Sequence, residues 1–303
     1  MVTVILSSKQ PDGDLLKKLV SKQLDSVNNL QIAVGKNGEL LVYPTDYPDS
    51  IVGVLRALSI ADSAVFVVNE SISALDAELA LAIEYSGIGN GTVLYSDYSD
   101  MNSFKSLFSK QKVGSFPHLK DSAARPEPPA IAQGEASAVS IDKHFTVKGI
   151  GSVIIGFVAS GSIKKGDRMY LLPSGKQVTV KSIQLMDVDV QEAKKGDHVG
   201  LALNNAAEDD LSANYCVSSS NEVSDEFGAR IEFSQFYDKE NAFTRSLSCA
   251  LLGNNFTVTL SASLDRITAK LNRKSPMVPG RHVLADASRV VGRSRIVGSV
   301  EFV

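Results

Sequence analysis

Apolar residues along the chain change their period twice. Residues 2–6 form a β-type apolar run, and Leu15, Leu16, Leu19 and Val20 then fall at helical spacing. Residues 30–34 and 39–43 flank Gly35-Lys36-Asn37-Gly38, a hairpin signal. Ile51, Val54, Leu55 and Leu58 return to helical spacing, and residues 64–68 read as a strand buried on both faces. Ser71 is placed to cap a helix carrying Leu75, Leu79, Leu81 and Ile83 that ends near Gly87, and residues 92–95 supply the next strand. This alternation predicts a doubly wound α/β domain over residues 1–112 with a mostly parallel sheet.

From 141 to 205 the period becomes two. Short β-branched runs alternate with glycine-containing turns about every ten residues, which predicts a small closed antiparallel sheet. Gly166-Asp167 and Gly196-Asp197 each follow a Lys-Lys pair and precede an apolar alternation. Beyond Ser218-Ser219-Ser220-Asn221, residues 229–236, 246–251, 256–262 and 295–300 are again strand-like, so a second barrel is expected. The predicted division is an α/β domain (1–112), a linker (113–137), one β-barrel (138–217) and another (218–303). The linker is rich in Pro, Ala, Ser and Glu and contains Arg125-Pro126-Glu127-Pro128-Pro129, an extended, semi-rigid composition. Few contacts are expected to cross it, so the α/β domain and the two-barrel unit should fold independently, with proteolysis cutting first within 114–137.

Composition adds little until charge is mapped. A chain of 303 residues with 44% hydrophobic content can build ordinary cores for two or three domains. No apolar run reaches bilayer length, and the N-terminal stretch lacks a basic region, so a soluble, cytoplasmic monomer without signal peptide or membrane contact is expected. Cys216 and Cys249 lack metal-ligand spacing and read as buried small hydrophobes. His118, His144, His198 and His282 lack it too and are expected at the surface or in turns. Neither a metal nor a cofactor is expected. Gly149-Ile150-Gly151 sits in a hairpin and not before a helix, which excludes a dinucleotide loop. Glu208-Asp209-Asp210 reads as a solvated acidic turn. The net charge of −3 is uneven: residues 1–112 hold nine Lys and Arg against thirteen Asp and Glu. Residues 266–295 hold Arg266, Lys270, Arg273, Lys274, Arg281, Arg289, Arg293 and Arg295 against Asp286 alone.

The order of turns in the first barrel is more specific than a barrel requires. A phenylalanine-bearing strand (Phe145) precedes Gly149-Ile150-Gly151; Gly161-Ser162-Ile163-Lys164-Lys165-Gly166-Asp167 follows; then come Val180-Lys181-Ser182-Ile183 and Ala193-Lys194-Lys195-Gly196-Asp197-His198-Val199-Gly200-Leu201. This series resembles the second domain of the elongation factor Tu family of translation GTPases. Among its branches, the selenocysteine-specific factors and their archaeal elongation factor 1-alpha-like paralogues are the most similar. The order of α/β domain, barrel, barrel is also the family's, although the middle of the last region departs from the family pattern.

The resemblance implies a P-loop GTPase-like first domain, whose chemistry needs Gly-x-x-x-x-Gly-Lys-Ser/Thr so that amides cradle phosphates, Lys neutralises them and a hydroxyl holds Mg²⁺. Here the aligned Ser8-Lys9-Gln10-Pro11-Asp12-Gly13-Asp14-Leu15 keeps only Gly13, with Asp14 in place of the Lys and Leu15 in place of the hydroxyl. A carboxylate facing a triphosphate is repulsive. The family's Asp-x-x-Gly aligns with Tyr43-Pro44-Thr45-Asp46, and Tyr47 takes the position of its catalytic His. Its guanine-reading Asn-Lys-x-Asp aligns with Asp97-Tyr98-Ser99-Asp100, where only Asp100 survives. The expectation is a degenerate GTPase domain with negligible GTP affinity and no catalysis.

The family grips tRNA stems with its third domain and the aminoacyl end with its second. The resemblance therefore implies RNA-backbone contacts from the eight basic residues of 266–295, with Arg289, Arg293 and Arg295 on a terminal hairpin. It places Ile150, Gln184 and Asp197 near the terminal adenosine. The expected partner is tRNA or the ribosome. Two alternatives stay open: an interaction module docking on another translation factor through the acidic α/β domain, and a GTP-binding factor with unconventional nucleotide contacts.

Overall fold

The computed structural model describes residues 1–9, 17–120, 136–263 and 266–303. The first domain is a seven-stranded sheet of β1 (Val2–Leu6), β2 (Val20–Val27), β3 (Leu30–Gly35), β4 (Leu40–Pro44), β5 (Ser63–Val67), β6 (Asn90–Tyr95) and β7 (His118–Lys120). Its order is β2-β3-β4-β1-β5-β6-β7, parallel from β4 to β7 and antiparallel in the β2-β3-β4 extension. Every residue of β1, β4 and β5 is buried, which is why their sequences are apolar runs without alternation. Helices α1 (Val52–Ile60), α2 (Ala74–Tyr85) and α3 (Met101–Phe108) connect and cover the strands.

Three expectations are corrected here. Val20 opens a strand and does not continue a helix, because Asn28 and Asn29, both at positive φ (51° and 65°), turn the chain so that β2 pairs with β3. The cap of α2 is Ser73 and not Ser71: Asp76 stands at the third helical position, where its carboxylate accepts the Ser73 amide (2.8 Å) while Ser73 Oγ accepts from Leu75 N (3.2 Å). Residues 118–120, assigned to the linker, add a parallel edge strand to β6. Of that linker, residues 121–135 lie outside the described residues.

The second domain closes six strands in the order Arg168–Leu172, Cys216–Ser218, Ala138–Ser140, Gly151–Ser160, His198–Asn204, Lys176–Leu185 and back to Arg168–Leu172. The repeated Lys-Lys-Gly-Asp stretches make the same turn twice. Gly166 and Gly196 take φ of +93° and +89°, and Asp167 and Asp197 each accept the backbone amide of Lys164 or Lys194 three residues earlier, at 2.7 and 2.9 Å. The third domain is a closed six-stranded barrel of Ser224–Phe233, Arg266–Ser275, Asn254–Ser263, Leu247–Leu251, His282–Ala285 and Ile296–Phe302.

The units are not independent. Helix α1 lies against the strand Leu247–Leu251, and Ala250, Val283, Ala285 and Ile296 of the third domain, with Phe157 of the second, complete the core of the α/β domain. Gly253 N donates to Ser59 Oγ across this boundary (3.0 Å). At its centre, Arg295 is 1% exposed and grips Glu78 of α2, 3% exposed, through Nε, Nη2 (2.6 Å) and its own backbone amide (2.7 Å). A shared core of this kind predicts that the α/β domain and the third-domain barrel unfold together, as one endotherm in scanning calorimetry and not two.

Candidate functional site

A cavity of about 490 Å³ lies between the β2–β4 side of the α/β sheet and the second-domain barrel. Three of its wall residues are Ile150, Gln184 and Asp197, gathered from separate turns and strands of the barrel. Ile150 is 46% exposed, and its carbonyl accepts from Lys181 Nζ (2.7 Å). Gln184 Nε2 donates to Asp189 Oδ1 (2.9 Å), and Asp197 holds its own turn as described. Phe145, Leu40, Ile155 and Val199 provide apolar walls. Lys143 pairs with Asp25 of β2 at 2.5 Å, tying the barrel to the sheet edge at the cavity.

Two buried groups near this site were not singled out by sequence. Glu39, just before β4's apolar run, lines the cavity, is 7% exposed, and its Oε2 has no hydrogen-bond partner among the described residues. His198 packs on Phe157 with ring centroids 4.6 Å apart, and burial pushes its pKa down to about 4, so the ring is neutral at pH 7. Its Nε2 lies 3.9 Å from Asp142 Oδ2, and neither atom has a hydrogen-bond partner among the described residues. Only the hydrophobic run following Glu39 and the alternation around His198 could have flagged them. All four histidines lie half-buried in strands, which corrects their expected placement in turns or at the surface. Cys216 and Cys249 are free and buried, and burial pushes the Cys216 thiol up to about 12. Among the described residues no three His, Cys, Asp or Glu side chains group to hold a metal.

The residues aligned with nucleotide motifs are engaged in structural contacts. Gly13, Asp14 and Leu15 lie outside the described residues. Asp46 accepts from Asn29 Nδ2 (3.1 Å). Tyr47 is buried, its hydroxyl donates to Leu75 O (2.9 Å), and burial followed by the Glu78 charge raises its pKa far above the ordinary phenol range. Asp97 pairs with Lys120, and Asp100 caps α3 by accepting Ser103 N (3.0 Å). At the same end of the sheet Asn69 Nδ2 donates to Ser8 Oγ (2.9 Å) and Ser99 Oγ to Val68 O (2.6 Å).

The basic run does not form one surface. Arg295 is buried, Arg281 pairs with Glu232, Arg289 folds over the Tyr237 ring, and Arg273 is stacked against Tyr215 and Phe256. Arg289, Arg293 and Arg295 stand in the loop between the last two strands and not in a hairpin strand, so β alternation does not govern them. Arg266, Lys270 and Lys274 are exposed and share the outer face of the strand Arg266–Ser275, whose alternate residues Ala269 and Leu271 point into the barrel.

The elongation factor Tu domain 2 family model matches residues 151–213. The uncharacterized protein MJ0325 of Methanocaldococcus jannaschii is 30% identical over 233 residues, which are 75% of this chain and 74% of that protein. A selenocysteine-specific elongation factor from the same organism is 34% identical over 100 residues, 32% of this chain and 21% of that factor. The crystal structure of translation elongation factor SelB from Methanococcus maripaludis in its apo form superposes over 100% of this chain and 79% of its own, with a TM-score of 0.76 at 16% identity.

Proposed function

We propose that this chain, whose residues 151–213 match elongation factor Tu domain 2 and which is similar in part to a selenocysteine-specific elongation factor, is an elongation-factor-like protein that binds tRNA, or the ribosome, without a GTP cycle. The observation that carries the reading is the cavity: the three positions that the resemblance assigns to the aminoacyl end of tRNA converge on one chamber between the first two domains. Absence of a GTP cycle is supported by the residues at the motif positions. Asp14 replaces the phosphate-binding Lys, Tyr47 is built into a domain interface, and Asp100 is a helix cap. Only residues 7–19 separate β1 from β2, leaving no length for both a phosphate loop with its helix and a switch segment.

RNA contact is assigned to the exposed face of Arg266, Lys270 and Lys274. Replacing all three by Gln is expected to weaken tRNA binding for every sequence tested, while leaving the melting temperature near that of the parent, since the three side chains face solvent. Three phosphate contacts imply a fall in affinity of roughly 20- to 40-fold between 50 and 200 mM salt, and the triple variant should lose that part of the slope. Filter binding across a salt series measures both. An unchanged slope in a folded variant would leave the strip a solvated face and give precedence to docking on another translation factor, for which Tyr98 (78% exposed) and Leu107 (59% exposed) offer apolar surface on the α/β domain.

A further inference from the structure

We infer that Asp142 and His198 form a proton-exchanging pair that keys the second domain onto the first. One proton sits on His198 when this joint is open and on Asp142 when it is closed, so the joint closes without taking up or releasing a proton.

The Asp142 and His198 side chains are 7% and 11% exposed. His198 Nε2 faces Asp142 Oδ2 at 3.9 Å, and neither atom has a hydrogen-bond partner among the described residues. The first domain helps to bury both. Phe157, whose ring packs on His198, is part of the core of the α/β domain. Asp142 lines a void of about 10 Å³ together with Phe157, with Arg56 and Ile60 of α1, and with Gly253 of the third domain. Parting the first domain from the second-domain barrel therefore returns both groups to water together. Two ions buried at 3.9 Å would lose their hydration without a hydrogen bond to offset the loss, whereas moving one proton across leaves two neutral groups.

The surrounding charges act in the same sense. Burial raises Asp142 to about 6 against Arg56, the Ser140 hydroxyl and Lys143, and Asp25 adds to the rise. Burial lowers His198 to about 4, with Asp25 opposing and Lys143 assisting. Nearby, Asp25 is paired with Lys143, Arg56 also faces Asp46 and Arg273, and the Met1 amine and Asp62 stand against Gly196. At pH 5 the closed pair is thus a carboxylic acid beside a neutral imidazole, while the open pair, at the ordinary 3.8 and 6.5, is a carboxylate and an imidazolium. Each state holds one proton. Asp142 alone favours closure fully below about pH 4 and loses this as pH rises through 6. His198 alone favours closure above about pH 6.5 and loses this as pH falls through 4. Together the two limbs offset each other.

The Gly253 amide, donated across the domain boundary to Ser59 Oγ beside the same void, reports opening through its hydrogen-exchange protection, corrected for the intrinsic rate at each pH. In the parent, protection should vary less than about tenfold between pH 4 and pH 8, because the limbs offset. Asp142→Asn should lose about 100-fold on going from pH 8 to pH 4, and His198→Gln about 100-fold on going from pH 4 to pH 8, as a pKa displaced by about two implies. The double variant should be flat. Proton placement is read on the folded parent itself: NMR of isotope-labelled Asp and His side chains should find Asp142 protonated and His198 neutral at pH 5. An imidazolium beside a carboxylate at pH 5 would overturn the inference. So would parent protection that varies by more than tenfold, or single variants that are flat or share one sign of pH dependence.

Discussion

Arg295→Gln is expected to cost about 3–5 kcal/mol of stability, far more than any other single change among the eight basic residues of 266–295. The guanidinium and the Glu78 carboxylate are desolvated together, with Nη1 also donating to Pro48 O (2.9 Å) and the guanidinium 5.5 Å from the Tyr47 ring centroid. Removing the cation strands a buried carboxylate that also receives the backbone amide of residue 295. Arg293→Gln, two residues away and exposed, should stay within about 0.5 kcal/mol of the parent. Chemical denaturation of both variants makes the comparison. A double replacement of Glu78 and Arg295 by Met should be more stable than Arg295→Gln, because no charge is then left unpaired. Equal stability of the 293 and 295 variants would show that the ion pair does not hold the domains together.

Asp142→Asn should act in the opposite direction and only at higher pH. Burial raises the Asp142 pKa from 3.8 to about 6, with Arg56 opposing the rise. A carboxyl whose folded pKa lies above its unfolded value contributes stability that is full below about pH 4 and lost as pH rises through 6. By pH 8 the charged form costs about 3 kcal/mol relative to the protonated one, the free-energy equivalent of that rise in pKa. The Asn variant escapes that cost, so it should exceed the parent by up to about 3 kcal/mol at pH 8 and match it at pH 4. His198, whose pKa is depressed to about 4, has the reverse sign. Its neutral form contributes stability above about pH 6.5 that is lost as pH falls through 4, and the Asn variant should keep this acid limb. A gain that is the same at both pH values would mean that Asp142 is not charged against its burial.

The parts of the fold that could be read from sequence are those set by local chemistry. The two Lys-Lys-Gly-Asp turns, the Gly35–Gly38 hairpin and the apolar strands each declare themselves within a few residues. What could not be read depends on partners distant in the chain. Strand β2 is largely polar because it lies at a sheet edge, and its signal was the Asn28-Asn29 turn rather than its own pattern. Arg295 looks like any surface arginine until Glu78, 217 residues earlier, is brought against it. Ile150, Gln184 and Asp197 were assigned by resemblance alone, and their convergence required the barrel's closure.

Binding of tRNA uncoupled from GTP is measured as the affinity for aminoacylated tRNA without nucleotide, with GDP and with GTP, each with Mg²⁺. Saturable binding is expected, with a Kd that agrees within about twofold across the three conditions, since a ligand without differential affinity for two states shifts nothing. A gain of tenfold or more with GTP over GDP, or no saturable binding in any of the three, would contradict it.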